Sequence, residues 1–305
     1  MADIPILLCF DDRILIGAGV TIASLVQAAR PGTCYEINIM HPGLSADVQA
    51  GLTALVSGTP HSIRFFQIPS SRFDGLPKSK GSWTEIVYYR LLAAEVLHDR
   101  DRVIYSDVDV FFCDDMTEVF ETDLEGIEWA GVKAEANGPD MVMHTYFAEN
   151  TKDCIYMSGF MVMNLALMRE RRVIDRYFET VKHIGDRLRF FDLDLLNVAS
   201  PQIGTVPFRY AVLEDTYEAD DVTRSSDFPY LGTVYGADEL CEGRDDPAII
   251  HYAGRRGKPW QRRQVPDYYN AVIKTLPAVL RPFNFRDFRK RWLSRKGRRS
   301  FPSRH

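Results

Sequence analysis

Two aspartates, Asp107 and Asp109, sit inside an apolar run that reads VIYSDVDVFF over residues 103–112. Side chains of an extended chain repeat every second residue, so both carboxylates face the same side. Like charges at that range repel, and burying either is costly without compensation. The pattern therefore calls for a cation, and hard carboxylate oxygens suit a divalent metal. The alternative is a hydrogen-bonded turn, with Asp114 or Asp115 capping the next helix. Without a cation, at least one of the pair should titrate above the ~3.9 of an isolated aspartate.

Two carboxylates do not complete a coordination shell. His251, in AIIHYAGRRGKPW over 248–260, is the candidate third ligand. A lone histidine at a strand end is ordinarily a satisfied core residue, but the residues after it point elsewhere. Gly254 lets backbone approach a ligand, Lys258 offers a point charge suited to phosphate, and Pro259-Trp260 fixes the exit of the loop. Mixed oxygen and imidazole ligation suits manganese better than calcium. The chain has two further Asp-x-Asp pairs, Asp99 with Asp101 and Asp192 with Asp194. The first reads as a polar turn before a strand.

The elements that must position these groups alternate. PILLCF (5–10), YEINIM (35–40), IRFFQI (63–68), RVIYSD (102–107) and IEWAGV (127–132) read as strands, and 17–30, 45–56 and 84–97 carry helical spacing. This alternation is that of a parallel α/β sheet. Ligands in such sheets bind beyond the carboxyl ends of the strands, where Asp11 and Asp12 follow the first strand and Asp107 and Asp109 the fourth. Neither a Gly-x-Gly-x-x-Gly nor a Walker loop is present there. The second half offers a strand at 156–165, a helix at 166–183, a short helix at 192–198 and a late strand at 248–254. The soft stretches 70–83 and 134–153 are candidate lids.

With 305 residues and 46% hydrophobic content, the chain can bury a substantial core. No run of eighteen apolar residues and no secretory signal appear, and five scattered cysteines without a Cys-x-x-Cys pair point to reduced thiols in a cytoplasm and against structural zinc. The net charge of −5 is uneven: residues 281–305 carry ten Lys or Arg and one acid, which leaves an acidic body over 1–280. Such a body is a poor nucleic-acid surface. In the tail, Phe285, Phe288 and Trp292 fall at helical spacing among arginines, a pattern that suits an anionic membrane surface and equally a solvated extension.

The ordered set FDD at 10–12, YYR at 88–90, SDVDV at 106–110, YMSGFMVMNL at 156–165, DLDLLN at 192–197 and HYAGRRGKPW at 251–260 resembles glycosyltransferase family 8, the retaining bacterial lipopolysaccharide galactosyl- and glucosyltransferases and glycogenin. The resemblance spans about residues 4 to 262. It implies a GT-A fold, a single Rossmann-like nucleotide-sugar-binding domain over 1–280 with a mixed, mostly parallel sheet, followed by the basic tail. It also implies a UDP-glucose or UDP-galactose donor whose diphosphate is chelated to Mn2+, with Mg2+ as the alternative ion, by Asp107, Asp109 and His251. Asp11 and Asp12 would contact the nucleotide, with Asp11 on the uracil, together with Val108. Arg90 would meet the donor sugar or nucleotide, and Gly254 and Lys258 the phosphates. Asp192 would face the donor sugar near the reacting carbon, and Asn164 would be structural. The acceptor would be a saccharide or a lipid-linked saccharide, with the enzyme cytoplasmic or peripheral on the inner membrane face.

The chain departs from the family at several points. The usual Asp-Gln-Asp is Asp192-Leu193-Asp194, which removes an amide at the sugar. Phe-Asn-Ala/Ser-Gly is Tyr156-Met157-Ser158-Gly159, which removes a polar sugar contact. Arg13-Ile14 stand where an aromatic would stack on uracil, and the loop from His251 to Lys258 is one residue longer than in the bacterial galactosyltransferases. These changes keep open a non-catalytic UDP-sugar-binding protein. A sugar nucleotidyltransferase would also use paired acids and a metal, but it would open on a Gly-rich phosphate loop where this chain has FDDRILIG.

Overall fold

The computed structural model describes residues 3–77, 85–140, 143–254 and 256–282. Its strands are β1 (Asp3–Cys9), β2 (Cys34–His41), β3 (Ser62–Gln67), β4 (Arg102–Ser106), β5 (Val110–Phe112), β6 (Trp129–Ala136), β7 (Cys154–Asn164), β8 (Gly204–Thr205), β9 (Val212–Leu213) and β10 (Ile249–His251). Seven of them form one sheet in the order β3-β2-β1-β4-β7-β6-β8, and the other three a small sheet, β5-β10-β9. The short strands β5, β8 and β9 carry too little pattern to be read from sequence.

Strands β3, β2, β1 and β4 run parallel. The sheet stops being parallel at β7, which is antiparallel to both β4 and β6. The reason is the connection: β6 reaches β7 through residues 137–153 without a helix among its described residues, and adjacent strands joined without a crossover run antiparallel. That reversal matters for the site, because it lays residues 158 and 159 alongside the end of β4.

Alternate residues of the central strands feed two cores. Ile6, Leu8, Ile37, Ile39 and Ile104 pack on the face covered by the helix Leu15–Ala28, while Leu7, Cys9, Met40, Val103 and Tyr105 pack on the other. Burial on both faces explains the nearly continuous apolar runs. All five cysteines are free thiols.

Two expected helices differ. Over 84–97 the described chain is a 3-10 helix, Glu85–Leu92, followed by a single α-turn, Ala93–Val96. Tyr88 through Leu92 are all buried, so tertiary contacts rather than one amphipathic face set the local winding. The stretch 166–183 is two helices, Leu165–Glu170 and Val173–Ile184, divided at Arg172, whose φ is +50°. The break lets Arg171 and Arg176, one on each side, converge on the buried carboxylate of Glu128.

The candidate lid at 134–153 is tied at its base, where the Asn137 amide donates to the Asn150 and Lys152 carbonyls at 2.8 and 2.9 Å. Residues 78–83 of the other candidate lid and the tail beyond Pro282 lie outside the described residues. No helix among the described residues is long and apolar enough to cross a membrane.

Candidate active site

Asp107 and Asp109 occupy the link between β4 and β5, at the carboxyl edge of the parallel strands. Opposite them, β10 pairs antiparallel with β5 and sets His251 across from Val110. The imidazole Nε2 is 3.3 Å from Asp109 Oδ1 and 3.7 Å from Asp107 Oδ2. It is buried and makes no hydrogen bond, so it is close to both carboxylates without the geometry of a donor to either. One ligand atom from each of the three residues falls within 4.8 Å of the others. Two carboxylate oxygens and an unpartnered imidazole nitrogen fit a first-row divalent ion. The turn alternative has a separate owner: Asp115 Oδ1 accepts from the Thr117 N–H at 2.8 Å at the start of the helix Thr117–Phe120.

The expected upward titration fails for Asp109. Burial favours the neutral acid, but the Lys258 ammonium and the His251 side chain outweigh it and hold the Asp109 carboxyl well below the usual aspartate range. Lys258 Nζ sits directly on Asp109 Oδ2 and also donates to the Tyr252 carbonyl at 3.0 Å. Part of the missing positive charge is therefore supplied by the chain itself.

Arg90 adds a second positive charge, shared between Asp107 and Asp192. Its buried guanidinium donates from Nη2 to Asp107 Oδ1 at 2.9 Å and from Nη1 to the Ser158 carbonyl at 2.7 Å, and Nη1 lies 3.1 Å from Asp192 Oδ2. It rests 4.2 Å from the Tyr105 ring centroid, and the Tyr105 hydroxyl donates to the same Asp107 Oδ1 at 2.7 Å. With Oδ1 so engaged, Oδ2 is the Asp107 oxygen turned to His251. Neither Tyr105 nor Gly159 is singled out by sequence reasoning. A Cβ at Gly159 would stand 2.5 Å from His251 Cε1 and 3.0 Å from Asp107 Oδ2, and the Gly159 carbonyl accepts from the Asp107 N–H at 2.8 Å. The available signal was its place beside Ser158 in the YMSGF motif.

Asp192 opens the helix Asp192–Ala199 directly after Phe191, whose φ is +46°. Its carboxyl is buried, and burial pushes it up to about 6, with Arg90 pulling down and Asp107 pushing up. Asp194, of the same Asp-x-Asp, turns the other way and accepts from the Arg189 and Phe190 N–H groups, each at 2.7 Å. Asn164 has the structural role expected of it, accepting from the Leu167 N–H at 3.0 Å.

The nucleotide-side residues are placed more loosely. Asp11 follows β1 but its carboxylate is taken by Arg13, with Oδ1 accepting from the backbone N–H at 3.0 Å and Oδ2 from Nε at 2.6 Å. Asp12 begins the next 3-10 turn and is exposed. Neither joins the Asp107–Asp109–His251 cluster. Val108 is buried between the two aspartates. At Gly254 a Cβ would meet nothing closer than Asp215 Oδ2 at 3.9 Å, so there is open room in front of it. The glycine that the loop backbone requires is Gly257, at φ +73°, which turns the chain so that Lys258 reaches Asp109.

The profile of Glycosyl transferase family 8 matches residues 5–264. General stress protein A of Bacillus subtilis (strain 168) is 23% identical over 264 residues, covering 83% of this chain and 85% of that protein. Glycosyltransferase GlyF of Streptococcus pneumoniae serotype 4 is 25% identical over 84% of this chain, which spans only 56% of GlyF. Lipopolysaccharide glucosyltransferase WaaO of Escherichia coli (strain K12) is 23% identical, covering 82% of this chain and 70% of WaaO. Among solved structures, the galactosyltransferase LgtC in complex with donor and acceptor sugar analogs superimposes with a TM-score of 0.69 at 22% identity, covering 90% of this chain and 96% of LgtC. The match over most of its length makes this chain a member of glycosyltransferase family 8, built on the GT-A fold.

Proposed function

We propose that the chain transfers a hexose, glucose or galactose, from a UDP-sugar to a saccharide or lipid-linked saccharide acceptor, with retention of configuration and in dependence on Mn2+. The observation that carries this reading is the convergence of Asp107, Asp109 and His251 within 4.8 Å, next to a buried Asp192 held by Arg90. Family membership sets the nucleotidyltransferase reading aside. LgtC, a galactosyltransferase by name, is known in complex with donor and acceptor sugar analogs, and WaaO by name is a lipopolysaccharide glucosyltransferase. Both names support the choice of donor and acceptor class.

Breaking a sugar–diphosphate bond builds positive charge on the anomeric carbon and negative charge on the departing diphosphate. Asp107, Asp109 and His251 would hold the divalent ion, which supplies Lewis-acid stabilisation of the leaving group. Lys258 adds a point charge on the phosphate side. Asp192 is assigned to the developing sugar cation: its carboxyl, pushed up to about 6 by burial, is paired with Arg90, which fixes its orientation. Leu193, in the place of the amide, has no nucleophilic atom, so attack is from the front face within an ion pair, and the leaving phosphate oxygen takes the acceptor's proton.

Leu193 also favours a second reading, a UDP-sugar-binding protein without turnover. Incubation with UDP-glucose or UDP-galactose and Mn2+ separates the two. Slow UDP release, accelerated by saccharide acceptors, is expected of the transferase. Tight binding of the intact UDP-sugar without release belongs to the binding protein, and failure of either sugar nucleotide to bind contradicts both.

A further inference from the structure

Lys258 and a divalent ion make claims on the same carboxylate. Lys258 Nζ sits on Asp109 Oδ2 while the other oxygen, Oδ1, is the one nearest His251. The ammonium is only one-third exposed and the Asp109 carboxylate less so, 33% against 16%, so their attraction is weakly screened. The arrangement is braced from outside the site. Arg256 pairs with Asp215 and Glu218, and Arg262 pairs with Glu214 and donates to the Gly257 carbonyl, so both flanks of Lys258 are pinned to the segment 214–218 that follows β9. Gly257, at φ +73°, completes the turn that aims the lysine inward.

We propose that Lys258 is an internal counter-cation that weakens divalent-ion binding to Asp107, Asp109 and His251 until a diphosphate arrives to accept the lysine. An ion entering alone must either displace the ammonium from Asp109 or tolerate a like charge beside it, and both lower its affinity. A nucleoside diphosphate removes that penalty by offering oxygens to the ion and to Lys258 together. Metal and diphosphate then bind with positive coupling, and by linkage each raises the affinity of the other by the same factor. The site would discriminate against free metal and favour the metal–diphosphate pair. The inference rests on the metal-site reading above, but makes a claim of its own about the sign of the lysine's effect.

The test is Mn2+ binding without turnover, followed by electron paramagnetic resonance of the free ion, with and without UDP, in the full-length wild type, Lys258→Met and Lys258→Arg. Without UDP, Lys258→Met should bind Mn2+ about tenfold more tightly than wild type, the scale of one charge-assisted contact, and UDP should enhance its Mn2+ binding less than it enhances that of wild type. Lys258→Arg keeps the charge and should keep the weak metal-only binding. Circular dichroism melts taken in EDTA establish that each variant is folded at the assay temperature. Equal or weaker metal-only binding by folded Lys258→Met overturns the proposal while leaving the metal site standing. If wild type and Lys258→Met both fail to bind Mn2+ even with UDP, the metal site and the proposal fall together.

Discussion

Two aspartate pairs of identical spacing flank the same strand. Asp99 and Asp101 precede β4, and Asp107 and Asp109 follow it. At the first end the carboxylates are 37% and 88% exposed and meet surface arginines: Asp99 pairs with Arg64 and Arg100, and Asp101 with Arg169. At the second end they are 27% and 16% exposed and face His251, Arg90 and Lys258, groups brought from two distant parts of the chain. Spacing alone therefore carries no chemistry. What separates the pairs is the end of the strand they occupy: in a parallel sheet only the carboxyl edge gathers the loops of several elements into one crevice.

The contrast is sharpest at Arg90, whose side chain is 7% exposed, whereas Arg64 and Arg100, which bridge Asp99 to Glu36 at the other end, are 33% and 31% exposed. Arg90→Met would leave Asp107 and Asp192 without their shared cation inside the protein. Losing one partner of a buried ionic network costs about 3–5 kcal/mol, so denaturant unfolding should register a loss on that scale. A loss under about 1 kcal/mol would mean that the buried carboxylates find other compensation.

Asp192 offers a pH-dependent test at the same edge. Its folded value, about 6 against an ordinary 3.8, lies above the unfolded one, so the folded protein binds the extra proton first. Stability from this group is gained as pH falls through 6 toward 4 and lost as pH rises. Asp192→Asn removes that dependence, and at pH 7 in EDTA should stabilise the protein by up to about 3 kcal/mol. Parallel unfolding curves for wild type and variant across pH 4–7 would refute the assignment.

Gly159→Ala probes crowding instead of charge. Its Cβ would overlap His251, and overpacking of this kind costs about 1–3 kcal/mol. A weaker Mn2+–UDP thermal shift should accompany the loss, because the imidazole is the group displaced. At the opposite end of β4, Asp101→Asn should leave the melting temperature and the Mn2+–UDP shift at their wild-type values, as expected for an exposed pair. A change in the ligand-induced shift there would blur the distinction between the two ends.

Much of the site is legible in the amino-acid sequence. Asp107 and Asp109 stand out because carboxylates inside an apolar run have no solvent to explain them, and His251 and Asp192 come with motifs of fixed order. The partners of those groups are harder to read. That Lys258 reaches back to Asp109 depends on the pairing of β10 with β5 and on Gly257, both settled by tertiary structure. That Arg13 closes on Asp11 is a two-residue contact, yet an Asp-x-Arg sequence is equally compatible with both side chains in solvent. The antiparallel β7 was concealed because a strand buried on both faces reads the same in either direction. The 3-10 winding of Glu85–Leu92 is hidden in the sequence because the apparent helical spacing there reflects the burial of every residue from Tyr88 to Leu92 rather than one helical face.

In the proposed site, Asp107, Asp109 and His251 hold a metal whose shell is completed by the donor's diphosphate. Calorimetry of UDP binding to the wild type, with Mn2+ and then with EDTA, tests it most directly. Binding should be lost, or weakened by at least about a hundredfold, when the metal is removed, as ligands shared between the protein and the diphosphate require. UDP affinity unchanged by EDTA would contradict it.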